Sequence, residues 1–280
     1  MQMIIRANRY FWKALLPRLV GKCINYSMPG GHPANWNRIR SYLAPRTLLA
    51  PSFKEYLRRS RYFLGVRLLL RHWWFRQKGI PIRKYEIDHH ASDNAINEHV
   101  LPRNFGNMGS FFRRRTEQII NVMRSISCVE ADKSKVLCIG PRNEGEVLLL
   151  EAYGFEIENI TSIDLFTYSP TIDLMDMHHM TFNDNTFDIV YSAYVLTYST
   201  NVERACSEMV RVAKNGGIIA IGYAQQRQTE KDGVMGTLLP EVDEMVDMFG
   251  AAAEHVYWKE NDWHHRDGTF LNSIIFRVKK

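Results

Sequence analysis

The sequence predicts an α/β protein: a Rossmann-like, mostly parallel sheet with an antiparallel C-terminal strand pair, preceded by a basic helical N-terminal extension. Three observations predict it. From Lys135 onward, short apolar runs alternate with helical stretches, and strands joined by helical connections form parallel sheets with right-handed crossovers. The first of these runs ends in Gly140 and the second in Asp164, the positions at which such units meet a nucleotide. Finally, residues 1–130 hold 23 Lys and Arg against 7 Asp and Glu, whereas residues 131–280 hold 13 against 23. The chain thus divides into a basic region, 1–130, and a Rossmann-like domain, 131–280.

In the N-terminal region, Ile4, Ile5, Phe11, Trp12, Leu15, Leu16, Leu19 and Val20 recur at helical spacing, with Arg6, Arg9, Lys13 and Arg18 between them. Pro17 ends or kinks that helix. Its make-up fits a helix packed on its own domain, a helix lying on an anionic membrane surface, or an import presequence. A polar loop containing Pro29, Gly30, Gly31 and Pro33 follows. A second basic helix is predicted over Phe53–Lys78, ending in His72, Trp73, Trp74 and Phe75. Arg83 to Asn107 is polar, holds Asp88, His89 and His90, and reads as a loop over the active site. Ser110 to Ser127 reads as a helix with Phe111, Phe112, Ile119, Ile120 and Val122 on its apolar side.

In the second region the predicted strands are Lys135–Ile139, Ile160–Leu165, Asp188–Ser192 and Gly217–Tyr223. The predicted helices are Gly145–Tyr153, Val202–Ala213 and Pro240–Phe249. Glu254–Lys259 and Phe270–Val278 read as an antiparallel pair at one sheet edge. No run reaches the roughly 18 apolar residues that span a bilayer, since Arg67 and Arg71 interrupt the longest, Tyr62 to Phe75. Cys23, Cys128, Cys138 and Cys206 show no CxxC spacing. Free thiols in a reducing cytoplasm are therefore expected.

A tight turn between a parallel strand and a helix brings backbone N–H groups and a helix N-terminus to a ligand. Gly140-Pro141-Arg142-Asn143-Glu144-Gly145 is such a turn. A carboxylate at the end of the next strand, here Asp164, reaches the hydroxyls of an adenosine ribose. Asp173, Asp176, Met177 and His178 precede the string that opens the following strand.

The series VLCIG (136–140), SIDLF (162–166), DMHHMTFNDNTFDIVYSAYVL (176–196) and EMVRVAKNGGIIAIGY (208–223) resembles the class I S-adenosylmethionine-dependent methyltransferases, in particular their small-molecule branch. The resemblance covers residues 133–224, and 254–279 suits that family's final antiparallel strands. It implies a seven-stranded sheet and S-adenosylmethionine as cofactor. It also implies that Gly140 and Pro141 approach the methionine part, that Asp164 with Leu165 takes the ribose, and that Asp176, Met177 and His178 surround the adenine. Ser192, Ala193 and Tyr194 would line the path to the transferred methyl. The family's acidic residue two before the first glycine is here Cys138, and its later glycines are Arg142 and Glu144. A rebuilt loop is one reading of this, with Arg142 pairing the cofactor carboxylate, Glu144 holding its ammonium, and Gly145 opening the helix. A degenerate, non-binding domain is the other.

The function expected is O-methylation of a small-molecule or glycan-type acceptor. His89, His90 and His178 are candidate bases, and Tyr194, Tyr198, Trp73 and Trp74 are candidate acceptor contacts. Adjacent histidines on extended backbone point opposite ways, so the pairs at 89–90, 178–179 and 264–265 do not predict a metal site. An RNA methyltransferase using the basic region is the alternative enzyme, although SAYVLTYS replaces the NPPY-type motif of amino-directed nucleic-acid enzymes. A non-catalytic Rossmann scaffold is the alternative outside enzymes. An anionic membrane surface is a further expected partner, with location in the cytoplasm or at the inner membrane face.

Overall fold

The computed structural model describes residues 61–85, 114–141, 143–226, 239–263 and 269–280. Phe63–Lys280 forms one compact unit. The predicted helix at Ile4–Val20, the loop around Pro29, the first part of Phe53–Lys78, residues 86–113 with His89 and His90, Arg142, and His264 with His265 lie outside the described residues.

The described chain begins with helix α1 (Arg61–Gln77), followed by β1 (Arg83–Lys84) and α2 (Arg114–Arg124). The alternating region runs β2 (Val136–Ile139), α3 (Gly145–Ala152), β3 (Ile160–Asp164), β4 (Phe166–Thr167), β5 (Asp173–Leu174), β6 (Phe187–Ala193), α4 (Val202–Val212) and β7 (Ala213–Gln226). It closes with α5 (Val242–Asp247), β8 (Ala253–Trp263) and β9 (Thr269–Val278). Seven strands form one sheet in the order β5-β3-β2-β6-β7-β9-β8. The first five are mutually parallel, and β9 runs antiparallel to both β7 and β8. This is the Rossmann-like sheet with its antiparallel C-terminal pair.

The strands read as continuous apolar runs because both faces are covered. Leu137, Ile139, Val190 and Ile221 point to the face packed by α4 and α5. Their neighbours Val136, Cys138, Ile189, Tyr191 and Ala220 point to the other face. That face is covered by α3 and also by Ile119, Ile120 and Met123 of α2 and Leu64 and Leu68 of α1. Two helices of the basic region are therefore part of the sheet's core.

Ends differ where tertiary contacts decide them. Ala213, read as the last residue of a helix, opens β7 and pairs with Phe187. The predicted Pro240–Phe249 helix is limited to Val242–Asp247, because the chain leaves it through a 3₁₀ turn at Gly250 (φ +54). Two features were not predicted. One is the short strand β5 at the sheet edge, and the other is a ribbon in which Arg83 and Lys84 pair antiparallel with Thr167 and Phe166.

Candidate functional site

The sheet order reverses direction at β2, whose neighbours are β3 on one side and β6 on the other. Ligands of open α/β sheets bind in the crevice beyond the carboxyl ends of the strands at this switch point. Ile139 lies level with Ile163 of β3 and with Ser192 of β6. One residue further on, Gly140, Asp164 and Ala193 stand side by side. The predicted first-loop, ribose and methyl-path positions are thus adjacent in register.

Gly140 has φ +69, and its N–H donates to Ile163 O at 2.8 Å. A Cβ built there would stand 2.4 Å from Val195 Cγ2. Both the left-handed backbone and the absent side chain are required. Gly140→Ala is therefore expected to lower stability by about 1–3 kcal/mol, read as a fall in thermal midpoint.

Behind Gly140, Pro141 is buried, and Asn143 Oδ1 accepts the Gly145 N–H at 2.8 Å, capping the entry to α3. Glu144 is 1% exposed. Its Oε1 accepts from Ser169 Oγ at 2.6 Å and Thr171 Oγ1 at 3.4 Å, and pairs with Arg71 Nη1 at 3.0 Å. Its other oxygen, Oε2, is buried with no hydrogen-bond partner among the described residues. One carboxylate thus ties together α1, the start of α3 and the loop after β4. About two turns further along α3, Arg67 of α1 meets the buried Glu151 at 2.7 Å. Part of the basic region's charge is therefore spent inside the molecule.

Asp164 ends β3 partly exposed, and its Oδ1 accepts the Phe166 N–H at 3.4 Å. Leu165 O accepts the Tyr85 N–H at 2.7 Å. The Arg83 guanidinium donates to Ser169 O at 2.7 Å and Ile172 O at 3.0 Å. The first residues of the segment read as a loop over the site are therefore strapped across the chain that follows Asp164. Phe75 packs on Tyr168 beneath this strap, with ring centres 5.2 Å apart.

Cys138, where the resemblance expects an acid, is buried in β2. Burial, and then the charges of Glu146 and Asp164, push its thiol well above the usual range. Across the switch point Ser192 is buried, and its Oγ has no hydrogen-bond partner among the described residues. Tyr194 holds φ +62, the left-handed region that side chains rarely adopt, and its N–H donates to Gly222 O at 2.6 Å. The Arg115 guanidinium of α2 lies 3.8 Å over its ring. Strain of this kind persists only where surroundings enforce it, and it gathers at ligand sites. A Cβ on Gly222 would stand 3.1 Å from that ring and 2.3 Å from Ile119 Cδ1, so the glycine makes room for Tyr194.

Asp176 and His178 form a chain that the sequence signals only in part. Asp176 Oδ1 accepts the His178 N–H at 2.9 Å and lies 2.6 Å from His178 Nδ1. His178 Nε2 is 2.8 Å from Ser199 Oγ, which itself accepts the Asn201 N–H at 3.1 Å. Burial opposes ionisation of Asp176, but its hydrogen bonds from His178 and the charges of His178 and His179 hold it below the usual carboxylate range. Both ring nitrogens of His178 are engaged. Ser199 had no distinguishing neighbour in the sequence, so only the fold reveals the third member. Met177 is buried beside this chain.

Tyr198 is 37% exposed on the 3₁₀ turn Leu196–Tyr198 that follows Tyr194. Trp73 and Trp74 lie on the exposed side of α1. Among the described residues no group of three His, Cys, Asp or Glu is arranged to hold a metal ion.

Residues 137–221 match the family model described as a methyltransferase domain. No curated protein matches the chain significantly. Among solved structures, the chain is similar to the N-methyltransferase NodS of Bradyrhizobium japonicum, solved with S-adenosyl-L-homocysteine. Identity is 18% and the TM-score 0.49, over 67% of this chain and 100% of that one. It is also similar to a SAM-dependent methyltransferase from Aquifex aeolicus, at 15% identity and a TM-score of 0.44, over 62% of this chain and 98% of that one.

Proposed function

From the premise that this chain belongs to the class I S-adenosylmethionine-dependent methyltransferases, we propose that it methylates a hydroxyl oxygen of a small-molecule or glycan-type acceptor. The chain is an enzyme and its cofactor is S-adenosylmethionine. The observation that carries the site assignment is the register that sets Gly140, Asp164 and Ala193 side by side at the switch point.

The residues present fit that cofactor. Gly140 turns the chain at φ +69 just beyond the end of β2, and Ser192 Oγ is a buried polar atom without a partner among the described residues. In this reading Gly140 and Pro141 border the methionine part, with Arg142 taking its carboxylate and Glu144 Oε2 its ammonium. Asp164 and Leu165 hold the ribose. Asp176, Met177 and His178 border the adenine, and Ser192 to Tyr194 line the methyl path. When bound, the cofactor supplies a methyl group on a sulfonium, suited to in-line displacement.

What remains for the chain is to place the acceptor oxygen and receive its proton. His178 has both nitrogens committed to Asp176 and Ser199, so we assign it to positioning. The base is assigned to His89 or His90, in the segment that begins at the Arg83–Tyr85 strap. Tyr194 and Tyr198 are the acceptor contacts in this reading. A cytoplasmic enzyme working at the inner membrane face suits a glycan acceptor assembled on a lipid carrier.

The test is titration calorimetry with S-adenosylhomocysteine, followed by transfer of labelled methyl to lipid-linked glycan and RNA fractions. Label in the glycan, stable to RNase, is the expected result. Label confined to RNA would replace the acceptor assignment, and no binding at millimolar ligand would remove the enzyme reading itself.

A further inference from the structure

Helix α1 carries two apolar faces, and among the described residues only one of them is buried. Leu64, Leu68 and Phe75 are buried, and Arg67 and Arg71 beside them bond to Glu151 and Glu144. Phe63, Val66, Leu70, Trp73 and Trp74 are each between 37 and 59% exposed. At 3.6 residues per turn these five fall within an arc of about 100°, so they make one continuous stripe along the helix. Ile80 and Ile82, each 37% exposed, follow on either side of Pro81 after the turn at Gly79 (φ +62). Scattered exposed apolar residues need no explanation, but a contiguous stripe ending in two tryptophans marks an interaction surface.

The charges around the stripe select its partner. Residues 61–85 contain seven Lys and Arg and no Asp or Glu. Lys78 sits over the Trp74 ring at 4.8 Å, placing a cation at the edge of the aromatic pair. Arg83 is bonded to carbonyl oxygens of Ser169 and Ile172, and no carboxylate pairs with it among the described residues. Tryptophans with flanking cations and an aliphatic stripe are the composition of a helix lying in the headgroup region of an anionic bilayer. Single-stranded nucleic acid would use the cations and aromatic rings but has no use for Val66, Leu70, Ile80 and Ile82.

We propose that this face of α1, together with Ile80 and Ile82, docks the protein on an anionic lipid surface. The inference names the surface, and it stands whether or not the acceptor is a glycan. It has a mechanical consequence. The docked stripe lies opposite Leu64 and Leu68, which share a core cluster with Leu148 and Leu149 of α3, so about one helix diameter, 10 Å, separates lipid from that core.

Flotation of the full chain with vesicles tests it. The chain is expected to rise with vesicles of equal phosphatidylglycerol and phosphatidylcholine and to stay down with phosphatidylcholine alone. The variant Leu70→Ser/Trp73→Ser/Trp74→Ser should retain the wild-type melting temperature, because these side chains are exposed, and lose at least tenfold in bound fraction. Wild-type flotation should also fall as salt rises through the range where surface charges are screened. Unchanged flotation of the triple variant would overturn the proposal. So would a stripe-dependent dimer in lipid-free solution, or RNA that binds through the same three residues while anionic vesicles do not.

Discussion

Asp164→Ala is expected to weaken S-adenosylhomocysteine binding by a factor of about 100 to 10,000 while leaving the fold intact. Two ribose hydroxyls donating to one carboxylate are worth about 1.5–3 kcal/mol each as charge-assisted hydrogen bonds, and roughly 1.4 kcal/mol corresponds to a factor of ten. Asp164 is partly exposed at the carboxyl end of β3, and its bond from Phe166 N–H is long at 3.4 Å. Its loss should therefore cost the fold under about 1 kcal/mol. Calorimetry and thermal melting together decide the matter. Lost affinity with an unchanged midpoint supports the ribose assignment, and retained affinity would place the ribose elsewhere.

Much of this site was legible because the strands are buried on both faces. A strand such as Val136–Ile139 cannot be exposed on either side without stranding its apolar residues, so the apolar run and its end at Gly140 were visible together. The parallel order followed from the intervening helices. Legibility failed where a residue's role is set by a partner distant in sequence. Nothing near Glu144 announces Arg71, 73 positions earlier, so its bond to α1 was invisible and only a cofactor role suggested itself. The Arg83–Lys84 ribbon and β5 are two residues long, too short to show a period. The excess of cations before residue 130 had two readings, an external anion or the acidic half of the chain. Arg67 and Arg71 satisfy the second, while the acid-free stretch around Trp73 and Trp74 leaves room for the first.

The EMVRV string shows how a recognisable motif acquires a cause, and it supports the second large prediction. Arg211 donates from Nε and Nη2 to the two oxygens of Glu208, at 2.8 and 2.9 Å. It also donates to Phe182 O at 2.7 Å, Met180 O at 2.7 Å and Asp184 Oδ1 at 2.8 Å. Glu208, 4% exposed, accepts the Met180 N–H in turn at 2.9 Å. This fork fastens the Met180–Asp184 loop to α4 and fixes the entry to β6. Arg211→Ala takes the guanidinium from two carbonyls and from a buried carboxylate, which keeps only the Met180 N–H and Arg204 at 3.6 Å, and breaking a buried pair costs about 3–5 kcal/mol. Because the arginine is 29% exposed, the lower end applies. About 3 kcal/mol corresponds to a fall of roughly 6–12 °C in midpoint for a unit of this size.

Arg211→Lys keeps the charge but not the fork and should fall between. Adding Glu208→Met to Arg211→Ala should restore part of the loss, since the buried charge that has lost its main partner is then gone. The pH dependence has a definite sign. Arg211's hydrogen bonds, outweighing burial, hold Glu208 below its ordinary value of 4.5. The folded chain thus binds fewer protons there than the unfolded one. That contribution is complete above about pH 4.5 and is lost as pH falls through the depressed folded value. The wild-type midpoint should therefore drop in this acid window more steeply than that of Arg211→Ala, measured by melting across pH 3 to 7. Equal slopes would show that Glu208 owes its low value to something other than Arg211.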